Sequence, residues 1–294
     1  MPEPTHAVAA DRAPVVLVAM GILVHLRAGG GRAAELQTEL ARAWSAAAAP
    51  HRQDDEPALV LHVVLDDDPA VVSRARADGA VAATELVPVL DEVSTRVTQR
   101  CLEQRVGSHW LLHACALADP STGATVVLVA PSGTGKTTAA LTLGKEFGYL
   151  SDETAVISVE GDLEPFAKPL SLLVDGRRPK RQVSPDELGL LPAPEGARLA
   201  AVALLQRDPE AEGVRVEQVP TVEALSLLAE QTSSLHLLDR PLHTVARMLH
   251  ERGGARRLVY SEAADLAPVI AELLAGDSWS TETAEVAEAT GETA

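Results

Sequence analysis

The stretch from Val126 to Thr138, reading Val-Val-Leu-Val-Ala-Pro-Ser-Gly-Thr-Gly-Lys-Thr-Thr, constrains this chain more than any other. Val126 to Val129 is apolar and mostly β-branched, which favours a strand. Pro131 to Gly135 is a small-residue turn that cannot continue the strand, and Ala139 to Lys145 predicts a helix. A strand, a glycine-rich turn, Gly-Lys-Thr and a helix form the context of a phosphate-binding loop (P-loop). Gly133 and Gly135 let the backbone turn its N–H groups inward, and these, with the helix N-terminus, form a nest for phosphate oxygens. The candidate nucleotide-binding residues are therefore Pro131, Ser132, Gly133, Thr134, Gly135, Lys136, Thr137 and Thr138. Lys136 is placed to reach the β- and γ-phosphates, and the Thr137 hydroxyl to take one Mg²⁺ position. Ala130 stands where the strict motif begins with Gly.

The domain around this loop has few rings to pack. Of 294 residues, 46% are apolar but only 2% aromatic, so the interior must be built from Ala, Val and Leu. The length suits one large domain or two ordinary ones. Asp and Glu outnumber Lys and Arg by 42 to 25, a formal net charge of -17. That argues against general binding to nucleic acid or to an anionic membrane, both of which need a cationic face. The longest early apolar run, Val15 to Leu26, is too short for a bilayer span. The residues before it, with Glu3 and Asp11 against Arg12, do not resemble a secretory leader. Cys101 and Cys115 form no Cys-x-x-Cys pair. A disulfide between them can be drawn, but reduced thiols in a soluble cytoplasmic protein are the expectation.

The chain divides into four parts. Residues 1–14 are a polar, Pro-bearing arm, and 15–107 a small α/β module. Residues 108–275 are the phosphate-loop domain, and 276–294 an acidic tail rich in Thr, Ala and Glu for which disorder is expected. In the module, Val15 to Leu26 predicts a strand or kinked strand that ends at Ala28-Gly-Gly-Gly31. Arg32 to Ala49 predicts a helix, and Leu59 to Leu65 a strand. Asp66-Asp-Asp-Pro69 reads as a solvated turn rather than a cation site. Ala70 to Leu86 is ambiguous, and Val89 to Val106 predicts a helix with Leu90, Val93, Val97, Cys101 and Leu102 on one face. No catalytic motif occurs here, so packing, dimerisation or substrate reception is the module's expected role. Self-association stays open.

Trp110 to Ala118 and Thr125 to Val129 predict a hairpin feeding the loop, with Asp119 to Gly123 as its turn. Thr154 to Val159, Ala200 to Leu205, Val214 to Val219 and Leu258 to Tyr260 predict strands. Leu163 to Lys168 reads as extended, and Leu172 to Leu191 holds many charges and prolines, with the basic run Arg177-Arg-Pro-Lys-Arg181. Helices are predicted from Thr221, from Pro241 to Arg252, and from Ala264 to Leu274 with Ser261 as cap.

Asp152 and Glu153 are the second chemical signal. They follow Lys136 by only sixteen and seventeen residues, with one short helix between. A carboxylate at a strand end in such proteins holds Mg²⁺ or orients the nucleophile. Ser132-Gly-Thr-Gly-Lys-Thr-Thr138 followed by Gly148-Tyr-Leu-Ser-Asp-Glu-Thr154 resembles the HPr kinase/phosphorylase catalytic domain. That group shares its loop-and-acid arrangement with the phosphoenolpyruvate carboxykinases. Leu112-His-Ala-Cys-Ala-Leu117 is similar to the family's His-Gly strand ahead of the loop. The resemblance spans residues 108–160. Ala114 stands where the family has Gly, and the family's downstream Arg-Gly-Leu-Gly is absent, so the chain is a divergent member by this resemblance.

The resemblance implies a P-loop kinase domain with the mixed β-sheet of the HPr kinase C-terminal type, ATP and Mg²⁺ as cofactors, and phosphoryl transfer to a serine hydroxyl. It implies catalytic roles for Lys136, Asp152 and His113, and metal contacts from Thr137, Asp152 and Glu153. In the preferred register, which keeps two negative charges, Asp152 is the general base and Glu153 the metal ligand. In the carboxykinase register Ser151 replaces the first acid and Asp152 is the ligand. The acceptor is a hydroxyl of a protein, a peptide or a small molecule.

Other residues carry weaker signals. His109, His113 and Cys115 lack the further ligands a zinc site needs. Lys168 and the run Arg177 to Arg181 can neutralise phosphates or simply meet solvent. Gln231 to Ser234 faces a cleft or ends a helix. A nucleotide-dependent regulator without transfer is the second functional class. A transport-type ATPase is excluded by the missing Leu-Ser-Gly-Gly signature.

Overall fold

The computed structural model describes residues 12–50, 56–131, 135–174 and 177–276. They form a mixed α/β protein. The first unit runs β1 (Val15–Ala19), β2 (Ile22–Gly29), α1 (Ala33–Ala43), β3 (Leu59–Leu65), α2 (Pro69–Ala77), β4 (Val81–Ala83) and α3 (Leu86–Arg105). Its sheet order is β1-β2-β3-β4, with β1 antiparallel to β2 and the rest parallel. The expected strand or kinked strand from Val15 to Leu26 is instead a hairpin. Met20 and Gly21 both take positive φ, 53° and 69°. Two left-handed residues make the tight turn whose twist matches paired strands. The ambiguous stretch after Asp68 resolves into α2, whose first turn is capped by the Asp68 carboxylate at 2.8 Å from the Ala70 amide, followed by β4. Along α3, Val89, Leu90, Val93, Val97 and Cys101 are buried, and they pack with Leu36 and Leu40 of α1 into the module's core.

The second unit begins with β5 (His109–Leu112), β6 (Ala114–Ala118), β7 (Ala124–Val129), α4 (Lys136–Leu143), β8 (Gly148–Ser151) and β9 (Ala155–Ser158). It continues with β10 (Leu163–Glu164), β11 (Leu170–Val174), β12 (Arg177–Val183), β13 (Arg198–Arg207), β14 (Arg215–Val219) and α5 (Thr221–Glu230). It ends with β15 (Thr232–Ser233), α6 (Pro241–His250), β16 (Ala255–Tyr260) and α7 (Leu266–Ala275). A six-stranded mixed sheet has the order β14-β16-β13-β7-β6-β8. The central β7 lies parallel to β13 and antiparallel to β6. Both faces of β7 are covered, which explains its continuous apolar run. Val127 and Val129 enter a core shared with α5 and α6, while Val126 and Leu128 enter one shared with α4 and α7. A four-stranded antiparallel sheet, β10-β9-β5-β15, stands beside it.

Several expectations change. Trp110 to Ala118 is two strands in two different sheets, broken at His113. The segment rich in charges and prolines, for which no element is predicted, carries most of the hairpin β11–β12. Ser261 does not cap the last helix. A short 3₁₀ turn, Ala263–Asp265, leads into α7 without a side-chain cap. Of the arm and the acidic tail, residues 1–11 and 277–294 lie outside the described residues.

The hairpin tip ties the two units together. The Met20 amide donates to the Pro165 carbonyl at 3.0 Å, and Arg105 Nε donates to the Met20 carbonyl at 2.8 Å. Both cysteines are free and fully buried, Cys101 in the core of the first unit and Cys115 in the α4–α7 core of the second. Burial pushes the Cys101 thiol up to about 12 and raises that of Cys115 as well. Among the described residues, no helix is long and apolar enough to cross a membrane.

Candidate active site

The site is built at the C-terminal end of β7. Ala130 is buried at the strand's end, and Gly135 caps α4 with φ 105°, a conformation open to glycine but strained for other residues. Ser132, Gly133 and Thr134 lie outside the described residues. Pro131 and Thr138 are exposed at the loop's two ends. Lys136 opens α4 and is itself buried. Its ammonium donates to the Ala130 carbonyl and, at 3.1 Å, to the Pro131 carbonyl. Burial lowers the Lys136 pKa, opposed by the nearby Cys115 and Asp152.

Asp152 reaches this loop because β8 pairs with β6, with Ser151 opposite Ala116, and β6 is the hairpin partner of β7. The Thr137 hydroxyl donates to Asp152 Oδ2 at 3.2 Å, and the Tyr149 hydroxyl donates to Oδ1 at 2.9 Å. The turn carrying the acids is held by Ser151 Oγ, which accepts from the amides of Glu153 (3.2 Å) and Thr154 (3.0 Å). Burial against the carboxylate raises the Tyr149 pKa, so its hydroxyl stays a donor.

Glu153 points to different neighbours. Its Oε2 lies 2.8 Å from Lys168 Nζ, a close ion pair without hydrogen-bond geometry. Lys168 is buried just ahead of β11, whereas the Glu153 side chain is 40% exposed. His113 stands at the break between β5 and β6, its amide bonded to the Gln231 carbonyl at 2.7 Å. Burial, then the charge of Lys136, lowers the His113 pKa, while the Glu153 backbone and the two acids pull the other way. His113, Lys136, Asp152 and Glu153 thus share one electrostatic neighbourhood. His109 lies apart from them, its pKa lowered by burial and by Arg105.

Two cavities border this cluster. One, of about 690 Å³, adjoins the loop at Ala130, Pro131, Gly135 and Thr138 and extends to Arg207, Gln231 and Tyr260. The other, of about 710 Å³, adjoins Glu153 and Lys168 and is roofed by α3 of the first unit. Sequence reasoning missed Tyr149, although it sits inside the motif carrying the acids, and a tyrosine buried there requires a polar partner. It also missed the polar stripe of α3.

The oxygen donors of Thr137 and Asp152, 3.2 Å apart, suit Mg²⁺, which takes one or two carboxylates and completes its shell with phosphate and water oxygens. Among the described residues, no group of three or more His, Cys, Asp or Glu gathers to hold a metal, so a metal caged entirely by such side chains does not fit. No protein-family model matches the chain, and no curated protein matches it.

Proposed function

We propose that this protein is an ATP-dependent phosphotransferase, a divergent relative of the HPr kinase type. The observation that carries this is the contact between the Thr137 hydroxyl and the Asp152 carboxylate. Fifteen residues apart in sequence, they meet at the start of the loop helix, where a nucleotide's metal is held in phosphate-loop enzymes. The cavity beside Gly135 and Thr138 has the size and mixed lining expected of a nucleoside site.

Of the two registers of the acid pair, this contact favours the one in which Asp152 serves the metal. Both Asp152 oxygens are engaged, by Thr137 and Tyr149. Glu153 lines the second cavity and is the better-placed proton acceptor. Lys136 leaves the loop carbonyls to bind the β- and γ-phosphates, and Thr137 and Asp152 would hold Mg²⁺. When bound, the metal neutralises charge on the transferring group. The acceptor's hydroxyl oxygen bonds to the γ-phosphorus as the bond to the β–γ bridging oxygen breaks. The hydroxyl proton passes to Glu153 and then to solvent, and ADP leaves. His113, kept toward its neutral form by burial and Lys136, can orient the acceptor.

The test is ATP binding together with γ-phosphoryl transfer in two variants. Glu153→Gln is expected to keep Mg·ATP affinity while transfer falls about 10²–10⁴-fold, the usual range for a lost general base. Asp152→Asn is expected to weaken Mg·ATP binding as well. The reverse pattern would return the base role to Asp152. Nucleotide binding with no phosphorylated product from any acceptor would select the regulator reading instead.

A further inference from the structure

The second cavity differs in kind from the first. All nine of its lining side chains are polar, and five come from one helix. Asp91, Ser94, Thr95, Thr98 and Gln99 repeat at spacings of three and one along α3, so they form one stripe, offset from the apolar stripe that packs the first unit. Opposite them stand Glu153 and Lys168 of the phosphate-loop unit, and Lys180 of β12. An apolar ligand would leave these side chains' hydrogen-bonding groups unsatisfied, which favours a hydrophilic one.

Its donors and acceptors say more. The Thr95 hydroxyl donates to the Asp91 carbonyl at 3.1 Å, and the Thr98 hydroxyl to the Ser94 carbonyl at 2.9 Å. Each spends its proton on the helix and keeps lone pairs to accept with. Ser94 is only 3% exposed, and its hydroxyl has no partner among the described residues. Lone pairs left over on Thr95 and Thr98, beside the donors Ser94, Gln99 and Lys180, suit groups that both donate and accept, as hydroxyls do. The lining's two acids and two lysines sum to no net charge, but only one oppositely charged pair is in contact. Lys168 pairs with Glu153, and Asp91 accepts from Gln182 at 2.8 Å. Lys180 is left with no acidic partner among the described residues.

We propose that this cavity receives the phosphoryl acceptor, and that the acceptor is a small polyhydroxylated acid. Its carboxylate sits at Lys180, its hydroxyls lie along the α3 stripe, and the reacting hydroxyl faces Glu153. This rests on the phosphotransferase reading and gives the first unit a task, since its third helix forms half of the acceptor site.

The test uses the full chain with Mg²⁺, γ-labelled ATP and four probes: D-gluconate, D-glycerate, the uncharged sorbitol, and a neutral peptide with an internal serine. Label is expected on gluconate or glycerate, with kcat/KM at least tenfold above that for sorbitol or the peptide. Lys180→Glu is expected to lose at least tenfold in kcat/KM for the acid, carried by KM, and Lys180→Arg to restore most of it. Thr98→Val, which preserves shape, is expected to raise KM as well. Label on the peptide or on sorbitol at equal or better efficiency overturns the proposal, as does ATP binding with no acid labelled. Failure of the wild-type protein to bind ATP is a separate result: it removes the phosphotransferase reading, and this proposal with it.

Discussion

Tyr149→Phe isolates one bond at the centre of the site. The ring is 1% exposed and fills the same volume without its hydroxyl, so no cavity opens. What is lost is a 2.9 Å hydrogen bond to Asp152, itself only 9% exposed. Hydrogen bonds to charged groups contribute about 1.5–3 kcal/mol, and a carboxylate that loses a donor in a buried setting bears that cost. The folding equilibrium should therefore fall about 10- to 150-fold. Thr137→Val removes the longer bond to the other oxygen, from a half-buried neutral donor, and should cost under about 1 kcal/mol. Urea unfolding followed by circular dichroism measures both, with unchanged m-values as the sign that only stability has moved. A cycle with Asp152→Asn then separates the pair's coupling from the single losses. A Tyr149→Phe protein within about 0.5 kcal/mol of wild type would show that Asp152 does not depend on that donor, a result outside the range for such bonds.

The remaining predictions are shorter. Lys136→Ala should abolish ATP turnover, read as released phosphate, because it removes the only basic residue between Ala130 and Thr138, whose ammonium lies against the loop carbonyls. Gly148→Ala places a Cβ 2.7 Å from Pro194 Cδ and 3.0 Å from the Pro192 carbonyl, so β8 must shift. A stability loss of about 1–3 kcal/mol with weakened nucleotide binding is expected, and unchanged thermal unfolding would refute it. His109 and His113 both have pKa values below the ordinary 6.5 in the folded chain. The unfolded chain then binds more protons as pH drops through about 6.5, so stability declines on that side and is untouched above it. His113→Gln should flatten the decline, and an unaltered slope in the double variant with His109→Gln would exclude both residues as its cause.

Much of this arrangement was legible in the residues. The loop, its flanking strand and helix, and the acids after the next strand all follow from local signals, because each needs particular residue types at fixed spacing. Leu59–Leu65 is a strand over the span its apolar run predicts. What local signals could not carry is pairing. Gly21 is the one turn signal in Val15 to Leu26, and alone it marks a kink as readily as a hairpin, since methionine is not a turn residue. Its positive φ is held by tertiary bonds to Pro165 and Arg105. The basic run carries no strand signal, and Pro179 is tolerated in β12 because a two-stranded hairpin leaves edges where proline costs little. The polar stripe of α3 lines a cavity only because Glu153, Lys168 and Lys180 stand across from it, a pairing that no local signal carries.

The two sealed thiols give this protein a built-in timer for its own opening. A disulfide-exchange reagent reacts only with a thiolate it can touch, and Cys101 and Cys115 offer neither access nor charge while their cores stay closed. Each residue therefore reacts at the rate at which its own unit loosens. Mass spectrometry of the two labelled peptides, with and without nucleotide, would show which half breathes first and whether a bound ligand slows one clock or both.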